Sequence, residues 1–231
     1  MKRIIIERIE AAAYTIPTDY PEADGTFAWD STTMVVAKVR AGDRQGLGYS
    51  YTHAAAAQLI EHPLAGVVEG RDALDVPGAW QAMVGAVRNL GRQGIAANAI
   101  SAVDTALWDL EARILEVPLA GLLGACREEI PVYGSGGFTS YPVDRLQAQL
   151  AGWVEQGIHA VKMKIGTDPA ADPERVRAAR AAIGDDAELF VDANGAYHRK
   201  QALGFAERFA EQDVSWFEEP VSSDDLEGLR L

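Results

Sequence analysis

The chain has 231 residues, 48% of them hydrophobic, enough for one sizeable core or for one complete domain and part of another. Acidic residues outnumber basic ones, 34 to 21, for a net charge of -13, which makes nucleic acid and anionic membrane surfaces poor partners. The single cysteine, Cys126, excludes an internal disulfide and fits a reducing compartment. MKRIIIERIE is too short and too charged for a signal-peptide core, and no apolar run approaches the ~18 residues of a membrane span, so a cytoplasmic protein is expected.

Residues 3–16 are Ile-rich and alternate loosely, which predicts a strand ended by Pro17. Residues 17–31, with two prolines and a glycine, read as a long loop that carries Tyr20, Phe27 and Trp29. A loop with that aromatic surface either packs on the core or folds over a ligand. Residues 32–40 form a clear strand, Gly42-Asp43 turns the chain, and 45–51 pairs back as a hairpin. Helices are predicted over 53–61, over 77–90 behind Pro77, and over 97–117. In the last, Ile100, Val103, Leu107, Leu110 and Ile114 recur every three or four residues as one apolar stripe. Strands followed by helices indicate an α+β domain over 1–128.

From Ile130 the pattern alternates: IPVYGSGG, helix 143–156, AVKMKIG, helix 172–183, ELFVDANG, helix 198–211, VSWFEEP, and a helix beginning at Ser223. Strict strand–helix alternation argues a parallel sheet wrapped by helices. Such a sheet carries its site at the C-terminal ends of its strands. Those ends hold Ser135, then Lys162 and Lys164, then Asp192 and Asn194, then Glu218 and Glu219.

Lys162 and Lys164 are two apart on a strand and project from one face, while Val161 and Met163 face the helices. Mutual repulsion of two ammonium groups is expected to depress at least one pKa and ready it as a base. Alone, the pair is equally readable as a solvated strand end. Asp192 and Glu218 offer hard oxygens suited to Mg²⁺, although Asp192 in a DANG turn could simply bond its own backbone. Together they fit one chemistry. Removing a proton alpha to a carboxylate puts a second negative charge on it, and a divalent ion with a cationic side chain stabilises the resulting enediolate. Asp104 and Asp109, five apart on a helix, share no face, and His53 and His62 have no carboxylate partner, so these read as structural. Gly134, Gly136 and Gly137 lack the lysine and hydroxyl of a phosphate loop.

VKMKIG, VDANGAY and WFEEP, in that order, resemble the Lys-x-Lys, Asp-x-Asn and Glu-Glu/Gln-Pro motifs of the mandelate racemase and muconate lactonizing enzyme branch of the enolase superfamily. AISAVDTALWDLEARILEVPLAGLLG is similar to the long helix before that branch's barrel. The resemblance covers nearly the whole chain. It implies an N-terminal α+β capping domain (1–128) and a (β/α) TIM-type barrel (129–231), here incomplete at about four of eight βα units. It also implies a Mg²⁺ cofactor and a lysine base, the pairing known for such sites. By analogy Lys164 is the base, and Lys162 stabilises the substrate carboxylate. Asp192 and Glu218 are metal ligands, and Asn194, Ser135 and Tyr20 touch substrate. The family's first acid in the Glu-Glu motif is the ligand, hence Glu218 over Glu219. The implied substrate is a small carboxylate, a 2-hydroxy acid or sugar acid. The implied reaction is racemisation, epimerisation or dehydration, with muconate-type cycloisomerisation or a non-catalytic truncated remnant as alternatives. The 17–31 loop is expected to close over the barrel mouth. A full-length protein is expected to form a homo-oligomer. The family's third metal ligand, on a fifth strand, has no counterpart in this sequence, so the chain is expected to be truncated and inactive alone.

Overall fold

A computed structural model describes residues 3–231. The chain divides into two compact units, Met1–Pro17 with Ser31–Glu128, and Thr18–Asp30 with Glu129–Leu231. The expected division at 128/129 thus needs one amendment, because residues 18–30 belong with the second unit.

The first unit holds a sheet in the order β1-β2-β3, formed by β1 (Arg8–Ala23), β2 (Ala28–Ala41) and β3 (Arg44–Tyr51). The second sheet strand pairs antiparallel with the third through the tight turn at Gly42-Asp43. Strand β1 runs straight through Pro17 and Pro21, which corrects the expected loop over 17–31: only residues 24–27 turn, and the rest is hairpin. The physical reason is that β1 lies at the sheet edge, where a missing N–H costs no ladder bond.

Helices α1 (Ala55–Leu59), α2 (Ala65–Val68), α3 (Val76–Ala86) and α4 (Ile95–Leu115) follow, with the short α5 (Leu119–Leu122) behind them. The expected single helix over 53–61 is broken by a wide turn, Ile60–Leu64, in which His62 leaves helical geometry before Pro63. Asp75 caps α3 by accepting from Gly78 N, and the helix stops at Ala86, short of the expected residue 90. The apolar stripe of α4 is buried as its spacing predicts: Ile100, Val103, Leu107 and Leu110 join Val35, Val39, Ile60, Leu64 and Met83 in one core. Two glycines make that docking tight. A methyl group on Gly46 or Gly48 of β3 would stand 2.1 Å from the carbonyl oxygens of Ala106 or Ala102 on α4, so only glycine admits the helix backbone.

The second unit carries four parallel strands in chain order, β4 (Gly134–Gly136), β5 (Ala160–Lys164), β6 (Glu188–Asp192) and β7 (Val214–Glu218). They alternate with α6 (Val143–Glu155), α7 (Asp172–Ile183) and α8 (Arg199–Ala210). One sheet face packs on these helices through Val161, Met163, Leu189 and Val191 against Leu146, Leu150, Val176, Phe205 and Phe209. The register Lys162↔Phe190↔Trp216 and Lys164↔Asp192↔Glu218 puts the other side chains in rows on the opposite face. No helix begins at Ser223; the expected one is replaced by a single 3₁₀ turn, Gly228–Arg230. Among the described residues no helix is long and apolar enough to cross a membrane.

Candidate active site

Period-two geometry fixes which side chains meet. On β5 the apolar residues 161 and 163 turn to the helices, so Lys162 and Lys164 share the opposite face. Asp192 ends β6 beside Lys164. Strand β7 needs one irregularity to join them. Leu189 pairs with Val214 but Phe190 pairs with Trp216, so Ser215 is an extra residue. Without that bulge Phe217 would stand beside Asp192, since a one-residue slip exchanges the two faces of a strand. With it, Glu218 does.

The four charged groups form one cluster. Lys164 Nζ lies 2.5 Å from Asp192 Oδ2, and Lys162 Nζ lies 2.6 Å from Glu218 Oε2 and 3.4 Å from Asp192 Oδ2. Asp192 is 1% exposed and Lys162 6%, and Asp192 Oδ1 accepts from Asn194 N. Two carboxylates and two ammonium ions balance, which is what makes burial of four charges tolerable. The expectation that lysine–lysine repulsion depresses a pKa is corrected for Lys162. Burial alone would lower it, but the hydrogen bond to Glu218 and the charges of Asp192 and Glu218 outweigh burial and hold it above the ordinary lysine value.

Beneath the cluster the same face is aromatic. Lys162 Nζ sits 5.3 Å from the Tyr133 ring, which meets Phe190 edge-on. Tyr133, Phe190, Trp216, Glu188 and Glu218 line a cleft of about 530 Å³. Ser135 is level with Lys162 in the β4–β5 register. Beyond the strand ends, Asn194 and Glu219 both hold positive φ, 48° and 43°, conformations disfavoured for side-chain-bearing residues. Asn194 Nδ2 donates to Glu219 Oε2, and Asn194 Oδ1 is buried without a partner. Glu218 and Glu219 therefore separate: the first joins the lysines, the second orients Asn194.

Residues 18–30 meet the loops that follow β4, β5 and β6. Thr139 N donates to Ala23 O at 2.8 Å, and the Thr139 and Thr167 hydroxyls donate to Asp24 O. Gly25 sits so close to Ala193 O and Ile165 O that an added methyl would stand 2.2 and 2.7 Å from them. The Tyr20 ring packs edge-on against Tyr141 and under the Arg145 guanidinium. Thr26 shares a second cleft, of about 420 Å³, with Asn194, Glu219 and Ser222. The sequence reading missed Gly25, the Glu219–Asn194 pair and the Asp172–Tyr197 contact, since each joins residues whose nearness no local pattern announces. Among the described residues no group of three or more His, Cys, Asp or Glu is arranged to hold a metal.

The description "Mandelate racemase / muconate lactonizing enzyme, N-terminal domain" matches residues 15–124, and "Enolase C-terminal domain-like" matches 145–231. The chain is 37% identical over 97% of its length to 3,6-anhydro-alpha-L-galactonate cycloisomerase of Streptomyces coelicolor, covering 64% of that protein. It is 35% identical over 84% of its length to L-talarate/galactarate dehydratase of Salmonella typhimurium, covering 50% of it. Among solved structures, a mandelate racemase/muconate lactonizing enzyme-like protein from Rubrobacter xylanophilus superposes with a TM-score of 0.96 at 59% identity, over 98% of this chain and 63% of that one. The Salmonella dehydratase bound to Mg and L-lyxarohydroxamate superposes with a TM-score of 0.89 at 31% identity, over 98% and 61%. The chain thus spans between half and two thirds of the length of these relatives. On the ordered motifs, the architecture and these matches, the chain belongs to the mandelate racemase / muconate lactonizing enzyme family of the enolase superfamily.

Proposed function

We propose that this chain contributes the capping domain and the first four βα units of the barrel to a Mg²⁺-dependent enzyme that removes a proton alpha to the carboxylate of a sugar acid. The carrying observation is the buried cluster of Lys162, Lys164, Asp192 and Glu218 at three adjacent strand ends. The relatives named above as a sugar-acid dehydratase and an anhydro-sugar-acid cycloisomerase support a polyhydroxy substrate.

The donor set fits a hard divalent cation. Asp192 and Glu218 present carboxylate oxygens in register on neighbouring strands, both already paired with positive charge, and Mg²⁺ is commonly held by one or two carboxylates with substrate and water oxygens. When bound, the ion would supply positive charge that stabilises the second negative charge developing on the substrate carboxylate, and would favour a neutral lysine nearby. The chain's own residues do the rest. Lys164 Nζ takes the alpha proton. Lys162, held by Glu218, offers its ammonium group to the substrate carboxylate. Asn194, with its Oδ1 open and its amide fixed by Glu219, accepts a hydrogen bond from a substrate hydroxyl. Ser135, level with Lys162, is a further hydroxyl contact, and Tyr20 belongs to the hairpin that bounds the site.

A cytoplasmic homo-oligomer is the setting that fits this reading: Cys126 is an exposed free thiol, and β3 exposes Leu47, Tyr49 and Tyr51. The test has two arms. Calorimetric titration with Mg²⁺ should show saturable binding that Asp192→Asn and Glu218→Gln each weaken. In the full-length protein, ¹H NMR in D₂O over a panel of aldonic and aldaric acids should show loss of one alpha-proton signal. Absence of both results would reject the proposal.

A further inference from the structure

The chemistry above leaves one buried charged group without a task. Asp172 opens α7 and is 1% exposed. Its Oδ2 accepts from Gly166 N at 3.0 Å and from the Tyr197 hydroxyl at 2.6 Å. One turn along the same helix, Arg175 donates through Nη1 to Tyr141 O at 2.8 Å and through Nη2 to Phe138 O at 3.1 Å. Gly166 lies just past Lys164, Tyr197 lies just past Asn194, and Phe138 and Tyr141 lie in the segment after β4. The first turn of α7 therefore holds the segments that leave β4, β5 and β6.

We propose that Asp172 is a positioning residue, whose carboxylate sets the β5 exit carrying Lys164 against the β6 exit carrying Asp192 and Asn194. The proposal rests on the site reading given above. Asp172 touches only protein donors, so it acts through them and has no contact with reacting atoms. An apolar residue of the same size would fill the space but leave the Gly166 N–H and the Tyr197 hydroxyl unpaired in the interior. A buried carboxylate accepts both in shorter, more directional bonds than a neutral acceptor would. Burial pushes the Asp172 carboxyl up, while the Tyr197 and Gly166 hydrogen bonds and the Arg175 charge pull it back. The Tyr197 ring stays in place by other means, packed 4.7 Å from Phe205 and edge-on to Phe217, so its hydroxyl can be removed without emptying the core.

Hydrogen–deuterium exchange resolved to single amides, on the whole chain, tests this. Tyr197→Phe should speed exchange of amides 193–197 by about tenfold, the loss of one hydrogen bond to a charged acceptor. Asp172→Leu should speed exchange at both 166 and 193–197, and Asp172→Asn, which keeps an acceptor, should restore slow exchange at both. Amides in α6 should not change in any variant. Titration with Mg²⁺ alone should be weakened several-fold by Tyr197→Phe and Asp172→Leu and little by Asp172→Asn. A rise in exchange spread evenly over α6, α7 and α8 would mean that Asp172 merely supports the fold, and overturns the proposal. So would unchanged exchange in Tyr197→Phe, or a Leu variant that behaves like the Asn variant. If the parent chain itself bound no Mg²⁺, the functional reading would fall, while the exchange contrast would still decide the role of Asp172.

Discussion

Gly25 offers the sharpest test of how the 18–30 hairpin is held. A methyl group there would stand 2.2 Å from Ala193 O, 2.7 Å from Ile165 O and 2.9 Å from the Ala196 methyl. Two of these neighbours are backbone oxygens of the segments leaving β5 and β6, so no side-chain rotation relieves the overlap. In Gly25→Ala the hairpin tip must lift. Lifting it breaks up to three hydrogen bonds: Thr139 N to Ala23 O, and the Thr139 and Thr167 hydroxyls to Asp24 O. At about 1 kcal/mol net for each bond, with the alternative of overpacking costing about 1–3 kcal/mol, the substitution should destabilise the second unit by roughly 2–3 kcal/mol. Denaturant unfolding measures that loss. Amide exchange at Thr139, and proteolytic cleavage between residues 23 and 28, should both accelerate. A control is Gly42→Ala, where an added methyl meets nothing and no tip contact is involved. If Gly25→Ala unfolded at the parent's denaturant concentration and kept slow exchange at Thr139, the tip would not be wedged as described.

The remaining expectations concern the charged cluster and the exposed surfaces. Lys164→Ala in the full-length protein should abolish alpha-proton exchange in D₂O while Mg²⁺ titration still saturates, and near-normal exchange with each enantiomer would remove Lys164 from the base role. Glu218→Gln should weaken Mg²⁺ binding at least tenfold more than Glu219→Gln, because only Glu218 stands beside Asp192 and Lys162, and the reverse ranking would exchange their roles. Lys162 has its pKa raised in the folded chain, so its ion pairs contribute fully below the unfolded lysine value of 10.5 and are lost as pH rises through the folded value. Unfolding midpoints followed above pH 10 should therefore fall more steeply in the parent than in Lys162→Met, and equal slopes would contradict the raised value. Expressed as residues 1–231, the chain should self-associate through the open sheet face, where Trp216 is 59% exposed and Tyr133 46%. A monomer at high concentration in sedimentation would defeat that expectation, and Trp216→Ser should reduce the association.

Local rules determined much of this protein. The Ile100–Leu110 stripe had to be buried on one helix face, and the lysines at 162 and 164 had to share a strand face, because helical and strand periods are properties of the backbone alone. Alternation of strand and helix after residue 130 implied the parallel sheet, and that in turn implied that residues distant in sequence share its C-terminal edge. What local rules misjudged was the 17–31 segment. Its two prolines signal a loop anywhere except at a sheet edge, and edge position is set by strand order, which no single strand encodes. The choice between Glu218 and Glu219 is of the same kind. It hangs on the extra residue at Ser215, and the sequence VSWFEEP, with apolar Trp216 and Phe217 side by side, alternates too weakly to reveal it. Asp172 read locally as an ordinary acid at a helix start. Only folding brings the Gly166 amide and the Tyr197 hydroxyl to one of its oxygens, because hydrogen-bond partners between separate βα units are chosen by packing in three dimensions.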